Sequence, residues 1–340
     1  MSITGKWTKL AIPALQRSSH SLSVIGPKAY IWGGELEPRR PVDTDVHVVD
    51  LESGKYERVE APGAPSPRVA HAAAAVDGKI YAFGGRGGPE MSPIDESGLV
   101  YVYDPSARSW TSLKPSSSEY PEPRSYHSAA GAPGTFVIHG GCAASGRLRD
   151  TWAFDVSSKS WRRLADAPGL GRGGTALAIL GDKIWRFGGF DGKTEAGGAI
   201  DSVPLNGASE WSTTVFGEQT GLGRDAAPGG KLEGQEDAPG PRSVSGLHKV
   251  GDKLVLLYGE GRPSHTGGHD AAGSFWDDVW AYDPKGEKWT KVSIGSEKPD
   301  ARGWFASDAE AAGLALSGGL DDSNVRQSDT WVLRLTRRVF

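Results

Sequence analysis

Phe136-Val137-Ile138-His139-Gly140-Gly141 is an apolar run that stops at a glycine pair; residues 151–155 then alternate and end in Asp155, and Trp161 follows after a short turn. The same arrangement opens at Ala29-Tyr30-Ile31-Trp32-Gly33-Gly34, with residues 46–50 and Tyr56, and at Ile80-Tyr81-Ala82-Phe83-Gly84-Gly85, with residues 100–104 and Trp110. It continues at Ile184-Trp185-Arg186-Phe187-Gly188-Gly189, running to Trp211, and at residues 254–260 with 278–283 and Trp289. A sixth copy, Leu314-Ala315-Leu316-Ser317-Gly318-Gly319 with residues 330–333, has no closing Trp. Each copy reads as about four short strands, and a four-stranded sheet cannot bury both faces alone, so the copies must stack around an axis. Gly5-Lys6-Trp7-Thr8-Lys9-Leu10 resembles Glu287-Lys288-Trp289-Thr290-Lys291-Val292. It is therefore expected to supply the missing outer strand of the sixth sheet and close the ring without an open edge. The reading is all-β, a single six-bladed propeller over residues 1–340. The glycine pairs, strand-ending Asp residues and repeat Trp residues are assigned to structure, because tight turns near an axis need glycine and packed sheets need aromatic wedges.

Composition agrees with many short strands and tight turns. The chain of 340 residues holds 48 Gly and 22 Pro, with Gly at about twice its usual share of about 7%. Lys plus Arg number 38 against 42 Asp plus Glu, a net charge of −4. No basic block favours nucleic acid or an anionic membrane, which leaves a small molecule or a protein as partner. The single Cys142 excludes an internal disulfide framework and a four-cysteine zinc site. The N-terminus lacks the apolar core of a secretion signal and no stretch approaches 18 apolar residues, so a soluble, cytoplasmic protein is expected, as a monomer or weak homodimer.

The repeat resembles the kelch repeat, which implies a kelch-type β-propeller. In a propeller the chemistry sits in loops that the repeat does not constrain. First glycines fall at 33, 84, 140 and 188, but the next pair is broken, as Tyr258-Gly259-Glu260, reading as loss of its second glycine. Two insertions account for the longer interval. Residues 217–242 are rich in Gly, Pro and acidic residues without a period, predicting a long mobile loop over the channel mouth. Residues 261–275 interrupt blade five and carry Arg262-Pro263-Ser264-His265-Thr266-Gly267-Gly268-His269-Asp270.

The blade-one segment Trp32-Gly33-Gly34-Glu35-Leu36-Glu37-Pro38-Arg39 with Pro41-Val42-Asp43 and the blade-five segment from Tyr258 through Gly273 to Trp280 resemble the plant specifier proteins. These are the epithiospecifier, nitrile-specifier and thiocyanate-forming proteins. The resemblance covers the chain and implies an Fe(II)-binding propeller. Such proteins divert glucosinolate aglucones, supplied by a myrosinase-type glucosidase, from isothiocyanates to nitriles, epithionitriles or thiocyanates. The family's iron ligands run Glu, three residues, Asp, three residues, His. Glu260 matches the first and His269 the last. The middle position departs: Ser264 stands four residues after Glu260, His265 four before His269, and Asp270 is a rival oxygen ligand. Glu260, His265 and His269 would give two imidazoles and a carboxylate, a set that suits Fe(II) with open positions.

Arginines recur beside the inner strands, as Arg68, Arg86, Arg124, Arg172 and Arg242. A ring of guanidinium groups suits a sulfate or carboxylate, which the planar fork meets bidentately. The resemblance implies that channel arginines engage the substrate's sulfate and makes Arg86 the closest match, with Arg86 and Glu260 as the residues that act on substrate. Arg68, Arg124 and Arg172 are further substrate-binding candidates, and Phe190 and Trp304 are expected aromatic walls. The competing reading is a non-catalytic kelch propeller whose loops bind another protein.

Overall fold

The computed structural model describes residues 2–217, 237–264 and 272–338, and in these residues the chain forms six blades, five of four antiparallel strands and one of five. Blade one is Ser21–Ile25, Lys28–Trp32, Val46–Asp50 and Tyr56–Val59, and the next four blades repeat that up-and-down order to Lys288–Lys291. The first strand of each blade lies nearest the axis, where it neighbours the first strands on either side. Blade six is assembled from both ends of the chain. Thr330–Arg338 pairs antiparallel with Ser2–Lys9, placing Trp7 opposite Leu333, and Ser293–Ile294 adds a fifth strand, parallel to Ser2–Lys9. The expected closure by the N-terminal strand is therefore observed, and Trp7 is buried to 1% exposure.

The apolar core is six slabs, each filling the gap between two adjacent blades. One holds Trp32, Val46 and Val48 of blade one against Ile80 and Trp110 of blade two, and the last holds Ala306 and Val332 of blade six against Leu22 and Ile31 of blade one. The repeat Trp is the wedge: it leaves its own outer strand and meets the preceding blade. Trp110 lies 4.9 Å from Trp32, Trp161 5.3 Å from Phe83, Trp289 5.5 Å from Phe187, and Trp7 6.1 Å from Tyr258. Fully burying one such large apolar side chain contributes roughly 1.5–3 kcal/mol or more, so these contacts tie each blade to its neighbour. The strand-ending Asp residues cap the next turn: Asp104 Oδ1 accepts the N–H groups of Ser106 and Ala107, and Asp155 Oδ1 that of Ser158.

The glycine pairs are required by both conformation and space. Gly33 and Gly34 have φ of 68° and 89°, and a Cβ on Gly34 would stand 2.6 Å from the Ser18 carbonyl oxygen. Blade five corrects the sequence reading. Tyr258 (φ 56°) holds the first glycine's place, and Gly259 (φ 104°) donates to the Arg302 carbonyl as Gly34 does to that of Arg68. The first glycine, not the second, is the one replaced, and Glu260 is the residue after the pair. The insertion at 261–275 is also less irregular than expected, since Glu260–Arg262 pairs with Ser274–Phe275. The expected mobile segment 217–242 falls largely outside the described residues.

Candidate functional site

Two registers of the repeat converge at one end of the channel. The first is the residue after each glycine pair: Glu35, Arg86, Cys142, Phe190, Glu260 and Leu320, each bridged to the residue after a repeat arginine. The second is two residues after that arginine, where all six blades adopt a left-handed backbone: Ser19, Ala70, Tyr126, Gly174, Val244 and Trp304, with φ from 45° to 62°. Backbone hydrogen bonds of 2.8–2.9 Å join these residues around the axis, from Ser19 N to the Trp304 carbonyl and onward blade by blade to Val244 N on the Gly174 carbonyl. This conformation is uncommon for Tyr and Trp and a true outlier for β-branched Val. The backbone ring holds those side chains at the channel mouth.

Above the ring lies a cavity of about 650 Å³, lined among others by Arg86, Arg147, Cys142, Phe190, Trp304 and Leu320. Tyr126, Val244, Glu35 and Arg326 also reach it. Its wall has three chemical parts. Trp304 and Leu320 form an apolar wall with Tyr126 and Val244 against it, and Phe275, outside the lining, packs on the same cluster. Glu35 receives the Arg326 guanidinium at 2.8 Å and the Arg39 N–H at 2.7 Å, a bridge between the loops of blades one and six. On the third side Arg86 donates from Nε to Ser125 Oγ at 2.9 Å and lies 5.6 Å over the Tyr126 ring, while Arg147 lies 4.9 Å over the Phe190 ring. Among the described residues neither Arg86 nor Arg147 makes an ion pair. Aromatic faces orient the two cations without neutralising them, leaving their forks available to an anion.

Burial pushes the Cys142 thiol up, against the opposing charges of Arg147 and Arg86, so it is a thiol at neutral pH. Burial likewise pushes the Tyr126 phenol up to about 12, so it is a donor rather than a charge.

Of the substrate-binding residues expected from sequence, Arg86, Phe190 and Trp304 line the cavity, while Arg68, Arg124 and Arg172 do not. Arg68 and Arg124 are buried to 1% and 0% exposure. Arg68 grips both oxygens of Glu96 at 2.8 Å, and Arg124 grips Asp150 at 2.7 and 2.8 Å. Each also donates to the carbonyl of the first glycine of its pair, Gly84 or Gly140. Arg17, Arg242 and Arg302 repeat the device with Asp43, Asp278 and Asp329. Blade four differs: Arg186 holds Asp201, and among the described residues Arg172 keeps only the Gly188 carbonyl contact, at 3.3 Å. The paired arginines tie loop to sheet, and the buried forks of Arg68 and Arg124, each spent on a carboxylate and a carbonyl, have no terminal N–H group turned to the cavity.

Glu260 is fully buried and accepts the Gly273 N–H at 3.0 Å. Burial, and then the charge of Glu195 from blade four, raise the proton affinity of its carboxyl well above the usual range. Glu195 is itself at 0% exposure. A buried acidic pair of this kind is suited to a divalent cation, whose charge relieves both desolvation and repulsion. Ser264 is buried nearby in sequence, while His265, His269 and Asp270 lie outside the described residues. Among the described residues no group of three or more His, Cys, Asp or Glu side chains is gathered for a metal.

Arg147, Tyr126 and Glu195 are absent from the sequence reading. Tyr126 was reachable by aligning the copies on their repeat arginines; Arg147 opens a strand, Arg147–Asp155, that starts earlier than its counterparts and pairs with Cys142, and Glu195 sits in a loop, so the repeat offers no register for either.

Comparison with known proteins agrees with this architecture. The KLHDC2/KLHL20/DRC7 Kelch-repeats domain matches residues 19–212. The N-(sulfonatooxy)prop-2-enimidothioate sulfolyase of Thlaspi arvense is 27% identical over 97% of both chains. Human Kelch domain-containing protein 3 is 30% identical over 53% of this chain and 50% of its own length, so only about half of that relative is spanned. The solved structure of YjhT superposes with a TM-score of 0.68 at 17% identity, over 96% of this chain and 99% of that one, a likeness of fold.

Proposed function

From the premise that the chain belongs to the kelch-repeat proteins, we propose that it is a specifier-like, Fe(II)-dependent protein acting on sulfated thiohydroximates, the aglucones that a myrosinase-type glucosidase releases from glucosinolates. The observation that carries this reading is the pair Arg86 and Arg147, two cavity guanidiniums outside any ion pair among the described residues. A sulfate ester, whose three terminal oxygens share one negative charge, is a ligand that two such forks can meet together. The full-length similarity to a protein named as a sulfolyase supports the same substrate class.

In nitrile formation two bonds break. The N–O bond releases sulfate with its electron pair, and the C–S electron pair stays to complete the carbon–nitrogen triple bond, so sulfur leaves at oxidation state zero, collected as elemental sulfur or taken up by a thiolate of the medium as a persulfide. Arg86 and Arg147 would hold the sulfate and stabilise the charge that grows on it, an interaction strongest in the transition state. Phe190, Trp304 and Leu320 would pack the organic side chain and keep water out. Cys142 and Tyr126, both protonated at neutral pH, add no negative charge to oppose the substrate. Glu260 would hold the metal, with His265 and His269 as the ligands expected from sequence. Bound Fe(II) supplies open coordination positions that suit a thiolate sulfur.

The test combines a myrosinase, allylglucosinolate, Fe(II) and the purified protein without oxygen. The expected result is nitrile at the expense of isothiocyanate. If the wild-type protein holds no iron and leaves the isothiocyanate yield unchanged, the enzymatic reading fails. The interaction-module reading, which the similarity to Kelch domain-containing protein 3 supports, then takes its place.

A further inference from the structure

We propose that Glu195, on the blade-four loop, is a second carboxylate ligand of the metal held by Glu260, supplying from a neighbouring blade the acidic oxygen absent at Ser264. The inference rests on the metal-dependent reading above. Glu195 closes a backbone bridge to Phe190, which is bridged in turn to Gly173, while Glu260 is bridged to Ser243. The two segments run side by side, because Val244 N donates to the Gly174 carbonyl at 2.8 Å. Glu195 and Glu260 are both fully buried, at 0% exposure, and the Arg242 N–H beside Ser243 donates to the carbonyl of Ala196 at 3.0 Å.

The backbone around Glu260 fixes its carboxylate tightly. A Cβ at Gly273 would stand 2.7 Å from Glu260 Oε1 and 1.9 Å from the Arg262 carbonyl oxygen. Only glycine allows that approach, and its N–H then orients the carboxylate. Four residues on, Ser264 offers a hydroxyl, a weak donor to Fe(II) beside a carboxylate. Two buried carboxylates in neighbouring blades repel each other when both are ionised, whereas a shared dication turns the same juxtaposition into a binding site. Phe190 stands at the junction: its ring faces the anion subsite under Arg147 and its backbone positions Glu195. Metal and sulfate subsites are thereby held apart by one residue.

The experiment is a Mn(II) titration of the full-length protein followed by electron paramagnetic resonance, with Fe(II)-dependent thermal shifts measured anaerobically in parallel. Wild type should bind one Mn(II) per chain. Glu195→Gln should weaken it by about 10–100-fold, on the order seen when groups supporting a metal are removed, and circular dichroism of the metal-free variant checks that the fold is kept. Ser264→Asp should raise the Mn(II) affinity more in the Glu195→Gln background than in wild type, a non-additivity that a merely structural role for Glu195 would not produce. Unchanged Mn(II) affinity in Glu195→Gln overturns this proposal and leaves the metal-dependent reading standing. Absence of Mn(II) and Fe(II) binding in wild type overturns both.

Discussion

Replacing Arg124 by Ala should unfold the protein at markedly lower temperature without acting through the substrate. The guanidinium is fully buried, donates to both Asp150 oxygens at 2.7 and 2.8 Å, and reaches the Gly140 carbonyl at 3.1 Å. Burial opposes ionisation of Asp150, and the hydrogen bonds and charge of Arg124 more than offset it, holding the carboxyl below its usual range. Trp152 Nε1 adds a third donor at 2.7 Å. Truncating the arginine leaves a buried carboxylate short of its cation, a loss of about 3–5 kcal/mol. At roughly 2 °C per kcal/mol for a domain of this size, the melting temperature should fall by about 6–10 °C. Differential scanning calorimetry and circular dichroism read this directly. The contrasting variant is Arg86→Ala, which gives up one hydrogen bond to Ser125 and the contact with Tyr126. A loss near 1 kcal/mol should move the melting temperature by only about 2 °C, while the nitrile formation proposed above falls. An Arg124→Ala protein that melts within 2 °C of wild type, and loses nitrile formation instead, would refute the division of the arginines into structural and binding sets.

Removing residues 1–10 takes away the strand opposite Thr330–Arg338 and the buried Trp7; the truncated chain should melt lower and self-associate, and an unchanged melting temperature with a monomeric elution volume would count against closure of the ring by this strand. Gly34→Ala should cost roughly 1–3 kcal/mol, because φ is 89° and the added carbon meets the Ser18 carbonyl oxygen at 2.6 Å; urea denaturation measures it, and a neutral result would show that the loop yields. Stability should also fall between pH 7 and pH 5. Burial, reinforced by the Arg124 charge, lowers His127 to about 3, and burial lowers His248 to about 4, both from 6.5. The unfolded chain therefore binds more protons below about 6.5, and stability present above that pH is lost as it falls, by about 1.4 kcal/mol per pH unit for each imidazole. Asp308, raised by burial to about 6, acts in the opposite sense, since its ionised form is the disfavoured one when folded. The histidines prevail, and His248→Gln should make the decline shallower; a flat or rising melting temperature over this range would contradict the assignment.

The propeller was legible in the sequence because its determinants are local and repeated six times. A glycine pair that must turn left-handed, an Asp that caps the next turn and a Trp that wedges against the preceding blade recur at nearly constant spacing, and even the missing sixth Trp pointed to the strand at Trp7. The site was legible only where it inherits that register, as with Arg86, Phe190 and Trp304. Arg68 and Arg124 look the same in sequence as a cavity arginine. What separates them is whether a carboxylate comes within 3 Å through the fold: Glu96 and Asp150 do so for Arg68 and Arg124, and none among the described residues does so for Arg86 or Arg147. Residue type and spacing determined which side chains were available. Pairing across loops of unequal length, which the repeat does not encode, decided which were spent on the scaffold and which were left facing the cavity, because a buried charge is fixed by the partner that tertiary packing brings to it.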